Sequence, residues 1–228
     1  MFLKDGETAE TLFGENIIIQ NRELYRFTSD SILLSRFAKA KLNDEVADFC
    51  AGSGVVGLHF LCLNPQIKSL TLYELQPELA DMARRSIEKN QMSASIVEGR
   101  LQDISAGEEF TLILCNPPYE RGGLENLTYE KAICRKEITI TLQEVIEISA
   151  KKLKFGGRLA IVNRADRLAE LMYLLKKNRL EPKRLQFVQG SSDNAPYLIM
   201  VEAVKGGKPS LEILPNIVNN RQNGGCTL

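Results

Sequence analysis

DFCAGSGVVGL, residues 48–58, joins a strand-like run at 46–49 to a run of helical character at 55–63. Gly52, Gly54 and Gly57 satisfy G-x-G-x-x-G, and Glu74 closes the next strand-like run 20 residues after Gly54. Small residues let a ligand approach the backbone at the start of a helix, and a carboxylate at that distance can accept from ribose hydroxyls. The glycine pattern alone also suits a tight strand-to-helix turn that needs glycine only for packing; the acid at its place favours a nucleoside site.

Working outward, strand-like and helix-like runs alternate. Strands are expected over 46–49, 69–74, 95–97, 111–114 and 158–162, and helices over 55–63, 77–90, 137–153 and 164–177, with Gly156-Gly157 stopping the third of these. Before them, apolar residues at helical spacing predict a helix over 30–41 capped by Ser29 or Asp30, after an irregular or hairpin-like N-terminal segment. Such alternation makes an α/β fold with a mostly parallel sheet covered on both faces. Two last runs, 184–188 and 197–204, are joined by a loop too short for a crossover helix, so they can pair antiparallel. A single domain over 1–218 is expected, with 1–28 as an extension packed on it, and the polar, glycine-rich 219–228 reads as a loose tail.

Composition narrows the setting. The chain has 228 residues, 44% apolar and 25% charged, which is ordinary for a globular protein. It has no apolar run of membrane-spanning length and no basic-then-apolar leader, so a cytoplasmic protein without membrane contact is expected. Its 5 cysteines contain no C-x-x-C pair, which argues against a disulfide framework and a zinc site. The formal net charge of 0 hides an asymmetry: residues 1–120 hold 11 Lys+Arg against 18 Asp+Glu, and 121–228 hold 18 against 11. The basic half, with Arg121, Arg135, Lys136, Arg164, Arg167, Lys183 and Arg184, fits phosphate contacts or a set of solvated faces equally well.

Which nucleoside binds is read from the order Asp48, Glu74, Asp103 at three consecutive strand ends. A carboxylate just before the glycines would repel a pyrophosphate, but it can pair with the ammonium of S-adenosylmethionine. Asp103, after the third strand, can accept from the amine of adenine; alone it would read as a turn or cap residue. At the fourth strand end comes NPPY, residues 116–119. The Asn116 side-chain oxygen and the Pro117 carbonyl, in a backbone that Pro117 and Pro118 stiffen, can each accept a hydrogen from one planar –NH2 group. That would free its lone pair toward a methyl group without a strong base. Tyr119 offers a ring for a flat substrate to stack on, and the single histidine, His59, reads as structural.

These motifs together resemble the class I, Rossmann-like S-adenosylmethionine-dependent methyltransferases that carry (N/D)-P-P-(Y/F/W). More closely, RFTSDSILLSRFA, DFCAGSGVVGL, YELQPELADMARRSIEKN, NPPY, GGRLAIVNRADRLAELM, LEPKRLQFV and GKPSLEILP, in this order, are similar to the bacterial tRNA(Val) adenine-37 N6-methyltransferases. The resemblance implies a doubly wound, seven-stranded, mostly parallel sheet with an antiparallel last strand and helices on both faces. It implies that Asp48, Cys50, Gly52 and Gly54 line the methionine part of the cofactor. Glu74 and Leu75 would lie at the ribose, Asp103 and Ile104 at adenine, Asn116 would also border the cofactor, and Thr28 and Asp30 would close the site from the N-terminal side. Asn116, Pro117, Pro118 and Tyr119 would hold the target base, leaving S-adenosylhomocysteine as product. The implied partner is a tRNA anticodon loop whose base is splayed out, with Arg121, Arg135, Lys136, Arg164 and Arg167 as phosphate contacts. A monomer and no metal are expected. Cys134 stands where such proteins often carry a histidine, which bears on the RNA contact rather than on methyl transfer.

Other substrates present the same planar nitrogen: guanine amines of ribosomal RNA, adenine in DNA, and a protein glutamine. The chain shows no separate helical substrate domain and no target-recognition domain, which disfavours the last two. From another class, a nicotinamide-dependent dehydrogenase would use Gly52, Gly54, Gly57 and Glu74 but leave Asp48 and NPPY unexplained.

Overall fold

The computed structural model describes residues 3–21, 29–104, 107, 109–118 and 140–219. Its strands begin with a hairpin, β1 (Glu7–Phe13) and β2 (Asn16–Asn21), which forms a sheet of its own. After α1 (Ser29–Phe37) come β3 (Glu45–Phe49), α2 (Val55–Leu63), β4 (Ser69–Glu74), α3 (Pro77–Lys89), β5 (Ser95–Glu98) and β6 (Phe110–Cys115). The chain continues with α4 (Leu142–Lys152), β7 (Leu153–Arg164), α5 (Leu168–Lys177), β8 (Leu180–Gln189) and β9 (Leu198–Lys205).

The main sheet runs β5-β4-β3-β6-β7-β9-β8. Its parallel pairs are β3 with β4 and β6, β4 with β5, and β6 with β7; β9 lies antiparallel between β7 and β8. This is the Rossmann-like class expected, with two additions: β10 (Glu212–Ile213) and β11 (Ile217–Val218) pair with β8 and bring the sheet to nine strands. Two-residue strands carry no readable alternation, so only pairing to an edge reveals them.

The central strands are mainly apolar on both sides because helices cover both sheet faces, with Asp48 of β3 a buried exception. On β6, Leu112 and Leu114 pack with α1 and α2, while Ile113 and Cys115 pack with α4 and α5. The same alternation divides Ala160 and Val162 from Leu159 and Ile161 on β7. His59 is buried in α2, bonded through Nδ1 to Ser35 Oγ of α1 at 2.7 Å, which is the structural role expected.

Several boundaries differ from the sequence reading. The first helix ends at Phe37, short of residue 41. The helix expected over 137–153 begins at Leu142, where Thr141 and Glu144 form a capping box, and residues 137–139 lie outside the described ones. Gly156 and Gly157 do not stop it: β7 follows directly, and the glycines sit where its pairing with β6 shifts register. A Cβ on Gly157 would lie 2.8 Å from the Lys154 carbonyl oxygen, so that irregularity needs glycine. The helix expected over 164–177 splits into a 3-10 turn, Ala165–Arg167, and α5.

The N-terminal hairpin is joined to the domain by specific bonds. Ile17 N–H donates to Asn90 Oδ1 at 3.0 Å, Ile19 N–H to Ser86 Oγ at 3.0 Å, and Arg85 pairs with Glu7. At the other end, Asn219, expected in the loose tail, donates from its backbone to Gln189 at 2.8 Å and from Nδ2 to Ser29 Oγ and Tyr197 Oη.

Candidate active site

The strand order reverses between β3 and β6, and the crevice at the C-terminal ends of such strands is where open α/β sheets bind ligands. Four candidate residues stand at adjacent strand ends there: Asn116 after β6, Asp48 in β3, Glu74 ending β4 and Asp103 after β5. With strands about 4.8 Å apart, these span roughly 14 Å, the scale of an extended nucleoside with a short side arm.

Asp48 is fully buried, Oδ2 accepts from Gly57 N–H at 2.8 Å, and Oδ1 has no partner. Burial, and secondarily the negative charge of Glu74, push its carboxyl up to about 8. An unpartnered buried acceptor held at the foot of a glycine loop suits an incoming cationic donor, and an ammonium group satisfies both its charge and its bond.

The glycines serve three separate ends. Gly52 has φ +58° with open space where a Cβ would stand, so it supplies both the turn and room for a ligand. Gly54 precedes α2 with φ +91°. A Cβ on Gly57 would lie 2.6 Å from Leu72 Cδ2 and 3.0 Å from Asp48 Oδ2. Cys50, at φ +58°, lies beside buried Cys115, whose thiol is pushed up by burial and by Cys50.

Glu74 is buried, with Oε2 accepting from Gly52 N–H at 2.7 Å and Oε1 from Gln76 N–H at 2.8 Å. Burial raises its carboxyl above the ordinary range, and the N–H groups of Gln76, Gly52 and Leu75 oppose that rise. A carboxylate oxygen has a second lone pair, so Glu74 can still accept from a diol. Leu75 is half-buried, Asp103 is exposed in the 3-10 turn Leu101–Asp103, and half-buried Ile104 packs below it.

At the fourth strand end, Asn116 donates from Nδ2 to Ser31 Oγ of α1 at 3.2 Å, and its Oδ1 is buried without a partner. Pro117 is buried and Pro118 half-buried. Asp30, in the first turn of α1, is buried beside Ser29. Thr28, Tyr119, Arg121, Cys134, Arg135 and Lys136 lie outside the described residues.

Of the two remaining basic candidates, Arg164 is half exposed and pairs with Asp166 at 2.8 Å. Arg167 is not a surface group: its side chain is 7% exposed and both oxygens of Glu170 hold its guanidinium. Arg184 likewise packs on the Phe37 ring and beside Glu202. Two contributors escaped sequence reading: Ser31, which orients Asn116, and Gln20 of β2, whose buried amide donates to Ser53 in the glycine loop. Each comes from an element remote in sequence, and no local pattern marks it.

Fold and site together define a Rossmann-like class I methyltransferase. The methyltransferase small domain family matches residues 28–178, and the chain belongs to it. It is an S-adenosylmethionine-dependent methyltransferase, and the unpartnered acceptor of Asp48 and the open side of Gly52 fit that cofactor. A tRNA1(Val) (adenine(37)-N6)-methyltransferase of Porphyromonas gingivalis is 26% identical over 188 residues, covering 78% of this chain and 73% of that protein. One of the same name from a Shewanella species is 26% identical, covering 68% of this chain and 66% of that one. The crystal structure of a predicted O-methyltransferase from Agrobacterium tumefaciens superposes with a TM-score of 0.67 at 20% identity, covering 86% of this chain and 90% of that one. No helix among the described residues is long and apolar enough to cross a membrane.

Proposed function

We propose that the chain methylates the exocyclic N6 amine of an adenine in tRNA, with adenine 37 of tRNA(Val) as its target, in the cytoplasm. The observation that carries this reading is the buried, unpartnered Oδ1 of Asn116, held beside Ser31 next to the strand of Asp48. The names of the relatives support the nucleotide and the RNA.

Asp48 would receive the ammonium of S-adenosylmethionine, Gly52 its backbone approach, Glu74 the ribose and Asp103 the adenine, with Cys50, Gly54, Leu75, Ile104, Thr28 and Asp30 around them. The cofactor supplies an electrophilic sulfonium methyl. Asn116 Oδ1 and the Pro117 carbonyl accept the two amine hydrogens and draw the nitrogen lone pair out of conjugation; Tyr119 stacks on the ring. Alignment of this kind is worth about 7–11 kcal/mol of barrier, so no strong base is needed. Among the described basic candidates, Arg164 is the exposed one and would meet a phosphate.

The test is incubation of the protein with S-adenosylmethionine and unmodified total tRNA, followed by nucleoside mass spectrometry. N6-methyladenosine above the no-enzyme control is the expected result. Its absence, with S-adenosylhomocysteine shown to bind, would transfer the proposal to ribosomal RNA or a protein glutamine.

A further inference from the structure

The N-terminal hairpin forms a sheet of its own, so pairing with the main sheet does not fix where it sits. Side chains of α3 do: besides the bonds from Ile17 and Ile19, Asn90 Nδ2 donates to the Ile17 carbonyl at 2.7 Å, and Lys4 pairs with Asp81 at 2.7 Å. Along β2 the side chains alternate between two packing sites. Ile19 packs with Leu79 and Met82 of α3, and Ile18 joins the core shared with α1 and α2. By that alternation Gln20 shares the face of Ile18, and it is fully buried.

An amide where the strand pattern calls for an apolar side chain costs stability unless it is bonded. Gln20 Nε2 donates to the Ile19 carbonyl at 3.0 Å and to Ser53 Oγ of the glycine loop. A carbonyl can only accept, so the atom on this side is the nitrogen and the Ser53 oxygen is its acceptor. Ser53 lies between Gly52 at φ +58° and Gly54 at φ +91°, just after Cys50 at φ +58°. Left-handed backbone is unfavourable for Cys50, and the glycines have a wide choice of other conformations. The turn is therefore held from two sides: Glu74 takes the Gly52 N–H from β4, and Gln20 takes the next residue from the hairpin.

We infer that Gln20 is a positioning residue for S-adenosylmethionine: by bonding Ser53 it keeps the turn from Gly52 to Gly54 in its ligand-ready form, so that the docked hairpin and the bound cofactor stabilise each other. Gln20 acts through Ser53 and need touch no atom of the cofactor. A turn that is ready for a smaller fraction of the time binds more weakly by that fraction, and the coupling is reciprocal. The inference rests on the cofactor and not on the adenine substrate, so a different methyl acceptor would leave it standing.

Amide hydrogen exchange and calorimetry with S-adenosylhomocysteine test it on the full chain. In the wild type, amides of β1 and β2 should exchange at least about threefold more slowly when S-adenosylhomocysteine is bound, because the ligand disfavours undocking of the hairpin. Unchanged hairpin exchange overturns the inference, a result that needs no variant to fold. Gln20→Met keeps an unbranched side chain of similar length without the amide. It should bind S-adenosylhomocysteine about threefold to tenfold more weakly, the scale of one neutral hydrogen bond. Ser53→Ala removes the other end of the same bond, so the double variant should bind no more weakly than the weaker of the two single ones. A lowered melting temperature in Gln20→Met with affinity within twofold of the wild type is what a packing role would give, and it overturns the inference. So do losses in affinity that multiply in the double variant.

Discussion

The backbone N–H of Gly52 donates to Oε2 of Glu74 at 2.7 Å, so the carboxylate at the end of β4 is fixed by the glycine loop that follows β3. The other oxygen takes Gln76 N–H at 2.8 Å, and both bonds form within the protein itself. Glu74→Gln would turn a donor toward one of these N–H groups. We expect a stability loss of about 1–3 kcal/mol from the buried mismatch, together with at least a tenfold fall in S-adenosylhomocysteine affinity. Thermal unfolding and calorimetry check the pair; a variant weaker in binding but unchanged in stability would show that the loop holds its shape without Glu74.

Asp48 makes cofactor binding pH-dependent. Its carboxyl is pushed up to about 8, so at neutral pH it is mostly protonated until a cation arrives. Binding an ammonium group should release a proton, and affinity should rise with pH toward about 8. The folding linkage has the opposite sense. Because the folded value lies above the unfolded one of 3.8, the contribution to stability is whole below that value and is lost as pH rises through about 8. Asp48→Asn should therefore raise the melting temperature at alkaline pH, weaken S-adenosylhomocysteine and abolish the proton release. Calorimetry in buffers of different ionisation enthalpy measures the proton count; no release in the wild type would contradict this account.

The glycines separate loop shape from packing. Gly52→Ala meets open space but keeps φ +58°, so about 1–2 kcal/mol of backbone strain is expected, with a larger loss in cofactor affinity because the methyl enters the ligand's side. Gly57→Ala would place its Cβ 2.6 Å from Leu72 Cδ2 and should destabilise by about 1–3 kcal/mol. Melting temperature and S-adenosylhomocysteine affinity are expected to rank the two variants in opposite orders. The same ranking in both measurements would mean that the open side of Gly52 is not the ligand's side.

The strand and helix alternation was legible because both faces of the sheet are covered, leaving short, mainly apolar runs at 46–49, 111–114 and 158–162. Boundaries were harder. Ile140 is buried and extends the helical spacing backward, yet the capping box of Thr141 and Glu144 starts α4 two residues after it. Gly156-Gly157 reads as a helix stop in one dimension, although its cause is crowding against backbone carbonyls in the sheet. In the candidate site, Asp48, Glu74 and Asn116 were marked by the pattern because each stands at or beside the C-terminal end of a strand. Ser31 and Gln20 were not, since tertiary packing alone brings them there. Arg167 was read by its charge, while Glu170, three residues on, keeps it buried.

Asn116 carries the proposed chemistry from its place just after β6. Asn116→Ala removes an acceptor that has no protein partner, so the fold loses only the bond to Ser31. Methylation should fall by at least about a hundredfold, the scale seen when one preorganised polar group is removed, with S-adenosylhomocysteine affinity within a few fold. Ser31→Ala should give a smaller loss, because it frees the Asn116 amide to rotate but leaves the acceptor. Single-turnover rates measure both, and full activity of Asn116→Ala would sink the proposed mechanism.

Arg164 and Arg167 lie three residues apart but should fail in different ways. Arg164 is half exposed and its partner Asp166 is more exposed still, so the ion pair contributes little to stability and the guanidinium can exchange it for a phosphate. Arg164→Ala should raise the KM for tRNA and reduce the slope of log KM against log salt by about one phosphate contact, with the melting temperature hardly changed. Arg167→Ala removes a buried stem and a two-pronged contact to Glu170, so about 0.5–3 kcal/mol of stability should be lost with the salt slope intact. Salt-dependent kinetics beside thermal unfolding separate the two. A lowered salt slope in Arg167→Ala with an unchanged melting temperature would mean that this arginine leaves Glu170 to meet the RNA.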